Sequence, residues 1–414
     1  MFLILIFSIF FTFNSLAYDP FLGDLNCGQQ GQKACSIRSK EFWAKGIKFC
    51  DRGLKRIKKT CTNRKRNLIK DQWLADSLKF QRELLKDRPY LSQPLLFAHN
   101  SYNNKADRYF LPNQYYSLTD QLEMGVRVVE WDVHFVNKAL RLCHGTDKHL
   151  GCSRHDRPFY AVVEELSQWI RKKENKDEIV VLFIQEEFEG KHTVKAKQAF
   201  VKPMKQFLGD LVASSHQSNL SANELRTMGK RIILKSSLTD RIVRDDSGFM
   251  TVPVNGSDIT AKPKKFKKLR RPKGPLTKLF LNNDGYVKTP EQVKMFFLKN
   301  NPGPLKFDYI TPHLAAMAVW SWDKGQPQWD DNKLCTTINQ SGRWESSRCD
   351  IAKPFSCHLN DQWFVTEAKG DIYRGQSICS QEYPGSKFSF PKDGFQNQKI
   401  SKKGGEVFIS YRKL

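Results

Sequence analysis

The run Ile179–Ile184 is apolar at every position, with no polar residue to mark a solvent face. It is far too short to span a bilayer. It reads as a strand buried on both sides, the pattern of a parallel sheet covered by helices. Val126–Val133 and Arg231–Lys235 are two further strands, and Leu95–Ala98, after Pro89 and Pro94, is a shorter one. Between them Phe159–Lys173 has the spacing of an amphipathic helix. Thr193–Val212 is mostly helical, with an interruption expected near Pro203. Strand–helix alternation over roughly 230 residues gives an α/β fold with parallel strands, and a closed (β/α) barrel is one such fold.

The chain of 414 residues is long enough for two or three domains. Met1–Phe13 is apolar and ends in Asn14-Ser15-Leu16-Ala17, where small residues at 15 and 17 suit a cleavage site. Residues 1–17 are therefore expected to be a secretory signal peptide, cut after Ala17, although its start lacks Lys and Arg. Residues 18–90 are expected to be a basic, mostly helical region, 91–325 a barrel, and 326–414 a small Cys-rich β module that begins after Gly325-Gln326-Pro327. Ten cysteines fall in even-numbered groups: Cys27, Cys35, Cys50 and Cys61; Cys143 and Cys152; Cys335, Cys349, Cys357 and Cys379. That grouping suits disulfides formed within segments in an oxidising compartment. No Cys-x-x-Cys pair exists, which argues against a zinc ribbon or a thioredoxin-like site.

Lys and Arg number 68 against 43 Asp and Glu, a formal charge of +25. Anionic partners follow: phospholipid, acidic polysaccharide or nucleic acid. The basic residues concentrate at Arg38–Lys70 and at Lys262–Lys273, where Phe266 and Leu269 interleave with the charges. No nucleic-acid motif is present, so a membrane surface is the better match. Only one long apolar stretch exists, which excludes a polytopic membrane protein.

Three strand ends hold polar residues of catalytic type. The first runs into His99-Asn100-Ser101-Tyr102-Asn103, the second contains Glu130-Trp131-Asp132, and Leu140-Arg141-Leu142-Cys143 runs into His144-Gly145. Catalytic groups of a (β/α) barrel sit at the C-terminal ends of several strands. Two histidines from different strands suit an acid and a base on one bond. Glu130 and Asp132, two apart, share a strand face; with the amide oxygen of Asn100 they suit a hard cation such as calcium.

The order and spacing of these blocks, with Ser117-Leu118-Thr119-Asp120-Gln121-Leu122 between the first two, resemble the X region of phosphatidylinositol-specific phospholipases C. The resemblance covers roughly 91–322 and implies a TIM-type barrel. It implies His99 and His144 as the catalytic pair. In the calcium-dependent branch of that family, the matching residues imply Asn100, Glu130 and Asp132 as calcium ligands. The family's fourth ligand ends the strand that here reads Phe183-Ile184-Gln185-Glu186-Glu187. Strict register selects Gln185 and a one-residue slip selects Glu186. Glu186 is the expected ligand because a third carboxylate balances a divalent charge better. Lys235 matches a phosphate-contacting lysine, while the second such lysine is replaced by Ser237. A disulfide between Cys143 and Cys152 would hold the loop that carries His144.

In the tail, Gly342–Cys349 and Lys353–Cys357 are similar to the closing segment of C-type lectin domains, without the usual calcium-binding motif. The resulting expectation is a secreted, monomeric, calcium-assisted phosphodiesterase acting on phosphatidylinositol-type lipids at an anionic membrane. The rivals are a phosphodiesterase for another phospholipid or a GPI anchor, and a catalytically inactive membrane- or glycan-binding protein.

Overall fold

A computed structural model of the chain describes residues 27–28, 32–38, 49–50, 54–63, 71–109, 112–136, 139–145, 151–153, 156–187, 193–214, 217, 219–236, 252–253, 287–299, 301 and 303–413. The expected signal peptide and the basic run Lys262–Lys273 lie outside them.

The fold is of α/β, TIM type. Its centre is a seven-stranded sheet: β3 (Leu96–Ala98), β4 (Val126–Val136), β5 (Ala139–Leu142), β6 (Val180–Glu187), β7 (Ile232–Ser236), β8 (Val252–Pro253) and β9 (Leu305–Phe307). The order is β8-β7-β6-β4-β3-β9, all parallel, with β5 returning antiparallel along β4. Phe97, Val128, Val181, Phe183 and Ile233 pack together on one face. On the other face Val129, Leu182, Ile184 and Leu234 meet the helices. This two-sided burial is why Ile179–Ile184 carries no polar residue.

The covering helices include α2 (Leu118–Glu123), α3 (Phe159–Ile170), α4 (Thr193–Leu208), α5 (Ala222–Thr227), α6 (Pro290–Phe297) and α7 (Pro312–Ala316). Contrary to expectation, α4 runs unbroken through Pro203. Its buried Ala196, Phe200, Met204 and Leu208 repeat every four residues, and Phe200 stacks on Phe159 with ring centroids 4.9 Å apart. That contact outweighs the lost backbone hydrogen bond.

Ahead of the barrel the structure corrects the helical expectation. Leu54–Ile57 (β1) and Thr60–Asn63 (β2) form an antiparallel hairpin, tied by Cys50–Cys61. Lys58 and Lys59 turn it at φ 52° and 122°. Only α1 (Gln72–Leu84) is helical among the described residues before the barrel, capped by Asp71 accepting from the Leu74 amide. This helix clamps the join between barrel and tail. The Gln81 side chain donates to the Ala318 carbonyl at 3.1 Å and accepts from the Trp320 amide at 2.7 Å. Phe80 packs against Trp322, Trp344 and Tyr411 with centroids 5.3–5.6 Å away. Gly125, at φ +93°, is where α1 comes nearest: a Cβ there would lie 2.5 Å from Leu78 Cδ1.

The tail has two three-stranded sheets. One joins β10 (Cys335–Ile338), β11 (Trp344–Ser347) and β15 (Val407–Arg412); the other joins β12 (Ser356–Leu359), β13 (Gln362–Val365) and β14 (Lys387–Phe388). Two helices without an apolar stripe, α8 (Gly375–Glu382) and α9 (Gly394–Ser401), lie among these strands, so the tail is less purely β than its composition implies. The lectin-like segment does not close it: the last strand, β15, pairs with β10. Ile338, Trp344, Ile400 and Val407 belong to the same buried cluster as the helix-covered face of the barrel. All ten cysteines are paired: 27–35, 50–61, 143–152, 335–349 and 357–379. Each bridge stays within its expected group.

Below the sheet, buried Glu178 bridges Arg82 at 3.0 Å and Arg127 at 2.7 Å. Burial alone would raise the Glu178 carboxyl, but Arg127 and Arg82 hold it far below the ordinary carboxylate range. A carboxyl depressed in the folded state contributes stability above its unfolded pKa, and loses it as pH falls toward the folded value. Glu178→Ala is therefore expected to cost about 3–5 kcal/mol at neutral pH by denaturant melts, leaving two buried guanidinium groups unpaired. Repeating the melts through the acid range should shrink that difference, since wild type loses the pair while the variant has none to lose.

Candidate active site

The site is built where β3, β4, β6 and β9 present their C-terminal ends. Ala98 registers with Phe307, so His99 and Asp308 leave adjacent strands side by side. After His99 the chain turns left-handed at Asn100, φ 44°, a conformation asparagine tolerates better than most residues. It returns so that the Ser101 amide donates to the Glu130 carbonyl at 3.0 Å. That turn brings the Asn100 side chain over Asp132.

His99 Nδ1 lies 2.8 Å from Asp308 Oδ1. Asn113 Nδ2 donates to the same oxygen at 3.0 Å, and Asn113 Oδ1 accepts from Asn103 Nδ2 at 2.6 Å. Both His99 and Asp308 are buried. A carboxylate on Nδ1 holds the proton there, leaving Nε2 as the basic nitrogen. His99 Nε2 is 3.9 Å from Glu130 Oε2. Lys288, just before α6, is pulled down by burial while Asp308 supports its charge.

His144 sits on the other side. Its Nδ1 is 3.5 Å from Asp132 Oδ2. Assigned with Nδ2 toward the carboxylate, the Asn100 amide donates to Asp132 Oδ2 and Oδ1, at 3.0 and 3.2 Å, and its Oδ1 accepts from His144 Nδ1 at 3.0 Å. Tyr102 donates its hydroxyl to Asp132 Oδ2 at 2.9 Å. Burial, then the Asp132 charge, pushes that hydroxyl well above its ordinary pKa, so it stays a donor. The Cys143 amide donates to the Asp132 carbonyl at 3.3 Å, and the Cys143–Cys152 bridge forms as expected beside His144.

Glu130 is fully buried at the centre. Its Oε1 accepts from Lys306 Nζ at 2.9 Å and from Gln185 Nε2 at 2.7 Å, while Oε2 has no hydrogen-bond partner among the described residues. Lys235, on β7, is buried in the backbone row that runs through Phe183 to Glu130. The structure thus gathers His99, Asn100, Glu130, Asp132 and His144 as expected and sets Lys235 in the same row. On β6 the residue that reaches Glu130 is Gln185, the one strict register selects; the side chain of Glu186, the expected ligand, lies outside the described residues.

Those contacts also test the calcium donor set, and it does not fit. Calcium takes roughly six to eight oxygens, most strongly carboxylates. Here Gln185 turns an N–H toward Glu130, Asn100 turns one toward Asp132, and Lys306 already supplies a positive charge. Sequence reasoning missed Asp308, Asn113 and Lys306. Asp308 and Lys306 were findable: they follow inward-facing alternation in the short run Leu305-Lys306-Phe307-Asp308. Asn113 lies in an irregular loop and had no signal.

Residues 56–251 match the family model described as the Rv2075c PI-PLC-like domain. That stretch of the chain is therefore similar to a PI-PLC-like domain. An uncharacterized Mycobacterium tuberculosis protein, Rv2075c, is 22% identical over 393 residues, spanning 82% of this chain and 79% of that protein. A phosphatidylinositol-specific phospholipase C from Listeria monocytogenes superposes at a TM-score of 0.37 with 13% identity, covering 59% of this chain and 97% of that one. A calcium-dependent phosphoinositol-specific phospholipase C from Pseudomonas gives 0.30 and 14%, covering 43% and 71%. The matched domain ends before the tail, so the lectin likeness of the tail supports no functional conclusion.

The His99–Asp308 contact predicts a fixed tautomer. Nitrogen-15 NMR of the imidazoles should show His99 protonated at Nδ1 near neutral pH. Asp308→Asn should disturb that signal and leave His144 unchanged; a His99 tautomer indifferent to Asp308→Asn would contradict the geometry.

Proposed function

We propose that the protein is an exported phosphodiesterase that cleaves phosphatidylinositol-type lipids into diacylglycerol and an inositol phosphate, cyclic in the first instance. The observation that carries this reading is a pair of imidazoles bordering Glu130 and Asp132, each held through Nδ1: His99 by Asp308, and His144 by Asn100 and Asp132.

The chemistry is an in-line transfer at phosphorus. His99 Nε2 takes the proton of the inositol 2-hydroxyl as its oxygen bonds to phosphorus, and Asp308 stabilises the imidazolium that forms. His144 gives a proton to the glycerol oxygen as the phosphorus–oxygen bond to diacylglycerol breaks. Asn100 and Asp132 hold the His144 ring in place for that step. The cyclic product is then opened by water with the two histidines in exchanged roles. Calcium has no step here, because the residues that would hold it are already engaged. Lys235 supplies positive charge for the phosphate.

The charge of +25 favours residence on anionic bilayers, at about 1 kcal/mol per basic residue close to the surface. Five disulfides and no free cysteine support an oxidising, extracellular setting, in line with the apolar leader cut after Ala17. We take the barrel to occupy 91–325 and the tail 326–414, working as a monomer.

The test is release of water-soluble phosphate from phosphatidylinositol vesicles. Wild type should turn over. His144→Ala and Asp308→Asn should each lose about 10²–10⁴-fold in kcat, the range for removing an acid or the partner that orients a base. Cleavage of other phospholipids or GPI anchors alone would move the substrate; no cleavage of any phosphodiester would favour a binding protein.

A further inference from the structure

We propose that Lys306 is the resident cation of this site, so that its ammonium takes the place the family resemblance assigns to calcium and the site works without a divalent ion. The catalytic part of this inference rests on the phosphodiesterase reading; the ion-binding part does not.

Lys306 is contributed by β9, the neighbour of β3, and its side chain is only 8% exposed. Its Nζ is 2.9 Å from Glu130 Oε1 and 5.3 Å from the centre of the Phe97 ring. A carboxylate as deeply buried as Glu130 needs a positive partner or gives up its charge. Lys306 is that partner, and the Gln185 amide completes the same oxygen at 2.7 Å. The second carboxylate, Asp132, is completed by the Tyr102 hydroxyl and the Asn100 amide. Among the described residues, the partners of Glu130 Oε1 and of Asp132 Oδ2 thus present hydrogens, where a calcium shell requires oxygens. A divalent ion would also sit a few ångströms from a fixed ammonium, and like charges repel most strongly in a dry interior.

This arrangement leaves one acceptor unspent. Glu130 Oε2 is buried without a hydrogen-bond partner among the described residues, 3.9 Å from His99 Nε2. A substrate hydroxyl placed there rests with its one proton on Glu130 Oε2, and that proton passes to His99 Nε2 as the oxygen bonds to phosphorus. Lys306, held against the other oxygen, fixes the Glu130 carboxylate in place. Lys306 acts through Glu130 and is a positioning residue.

The experiment is calorimetric titration of calcium into the full chain, with thermal melts in calcium and in EDTA. Wild type should show no saturable heat, and its melting temperature should be the same in both. An ion held at about 100 times its Kd would instead raise the melt by several degrees. Lys306→Arg should behave as wild type. Lys306→Met should acquire calcium binding, because Glu130 then lacks its partner. If that variant fails to fold, wild type against Asp132→Asn still decides: saturable calcium binding to wild type that Asp132→Asn removes would overturn the proposal. Turnover on phosphatidylinositol should agree within about twofold between calcium and EDTA, a difference too small to reflect loss of a metal-borne transition-state contact. Turnover that needs calcium would also overturn the proposal. Absence of any turnover would count against the phosphodiesterase reading alone, while the titration still judges Lys306.

Discussion

Strand β4 is hydrogen-bonded along both edges, to β3 and to β6, and every residue from Val126 to His134 is buried. This one pairing fixes where Glu130 and Asp132 stand. It also aligns Asp132 with Gln185, and Glu130 with Phe183 and then Lys235. Because parallel ladders leave no freedom to slip without turning every side chain over, the polar residues at these strand ends hold their positions against a rigid apolar floor of Phe97, Val128 and Phe183. The two histidines lie just beyond that floor, on turns whose backbone donors are spent on β4 itself.

Charge balance then decides what the centre can do. Glu130, Asp132 and Asp308 bring three carboxylates into a small buried space, and the chain answers each with its own donors: Lys306 and Gln185, Tyr102 and Asn100, His99 and Asn113. Satisfied networks of this kind are rigid, and a buried polar group left unpaired is costly. Glu130 Oε2, which has no hydrogen-bond partner among the described residues, lies 3.9 Å from the basic nitrogen of His99. A site assembled this way is preorganised for a hydroxyl and a phosphate rather than for an apolar ligand.

Much of this was legible from residue order. Strands buried on both faces betrayed the parallel sheet, and three polar strand ends named five of the site residues. The grouping of cysteines anticipated that bridges would be local, and the positions of Cys143 and Cys152 around His144 suggested the pair that forms there. Other features were not legible because they depend on contacts distant in sequence. Asp308 meets His99 across 209 residues and Lys306 meets Glu130 across 176. Strand alternation puts Gln185 on the face of Val181 and Phe183, but its hydrogen bond to Glu130 crosses 55 residues and was not legible either. The role of α1 was invisible for the same reason: Gln81 bonds to Ala318 and Trp320, so a helix ahead of the barrel fastens the tail behind it.

The account stands or falls on the bond that is broken. Phosphorus-31 NMR of phosphatidylinositol micelles incubated with the protein tests this most directly, since a five-membered cyclic phosphate resonates well away from any open diester or monoester. The account predicts that the lipid signal gives way to that cyclic resonance, followed by a monoester as water opens the ring. Appearance of phosphatidic acid, which would place the cleavage on the inositol side of phosphorus, would contradict it, as would a lipid signal that never changes.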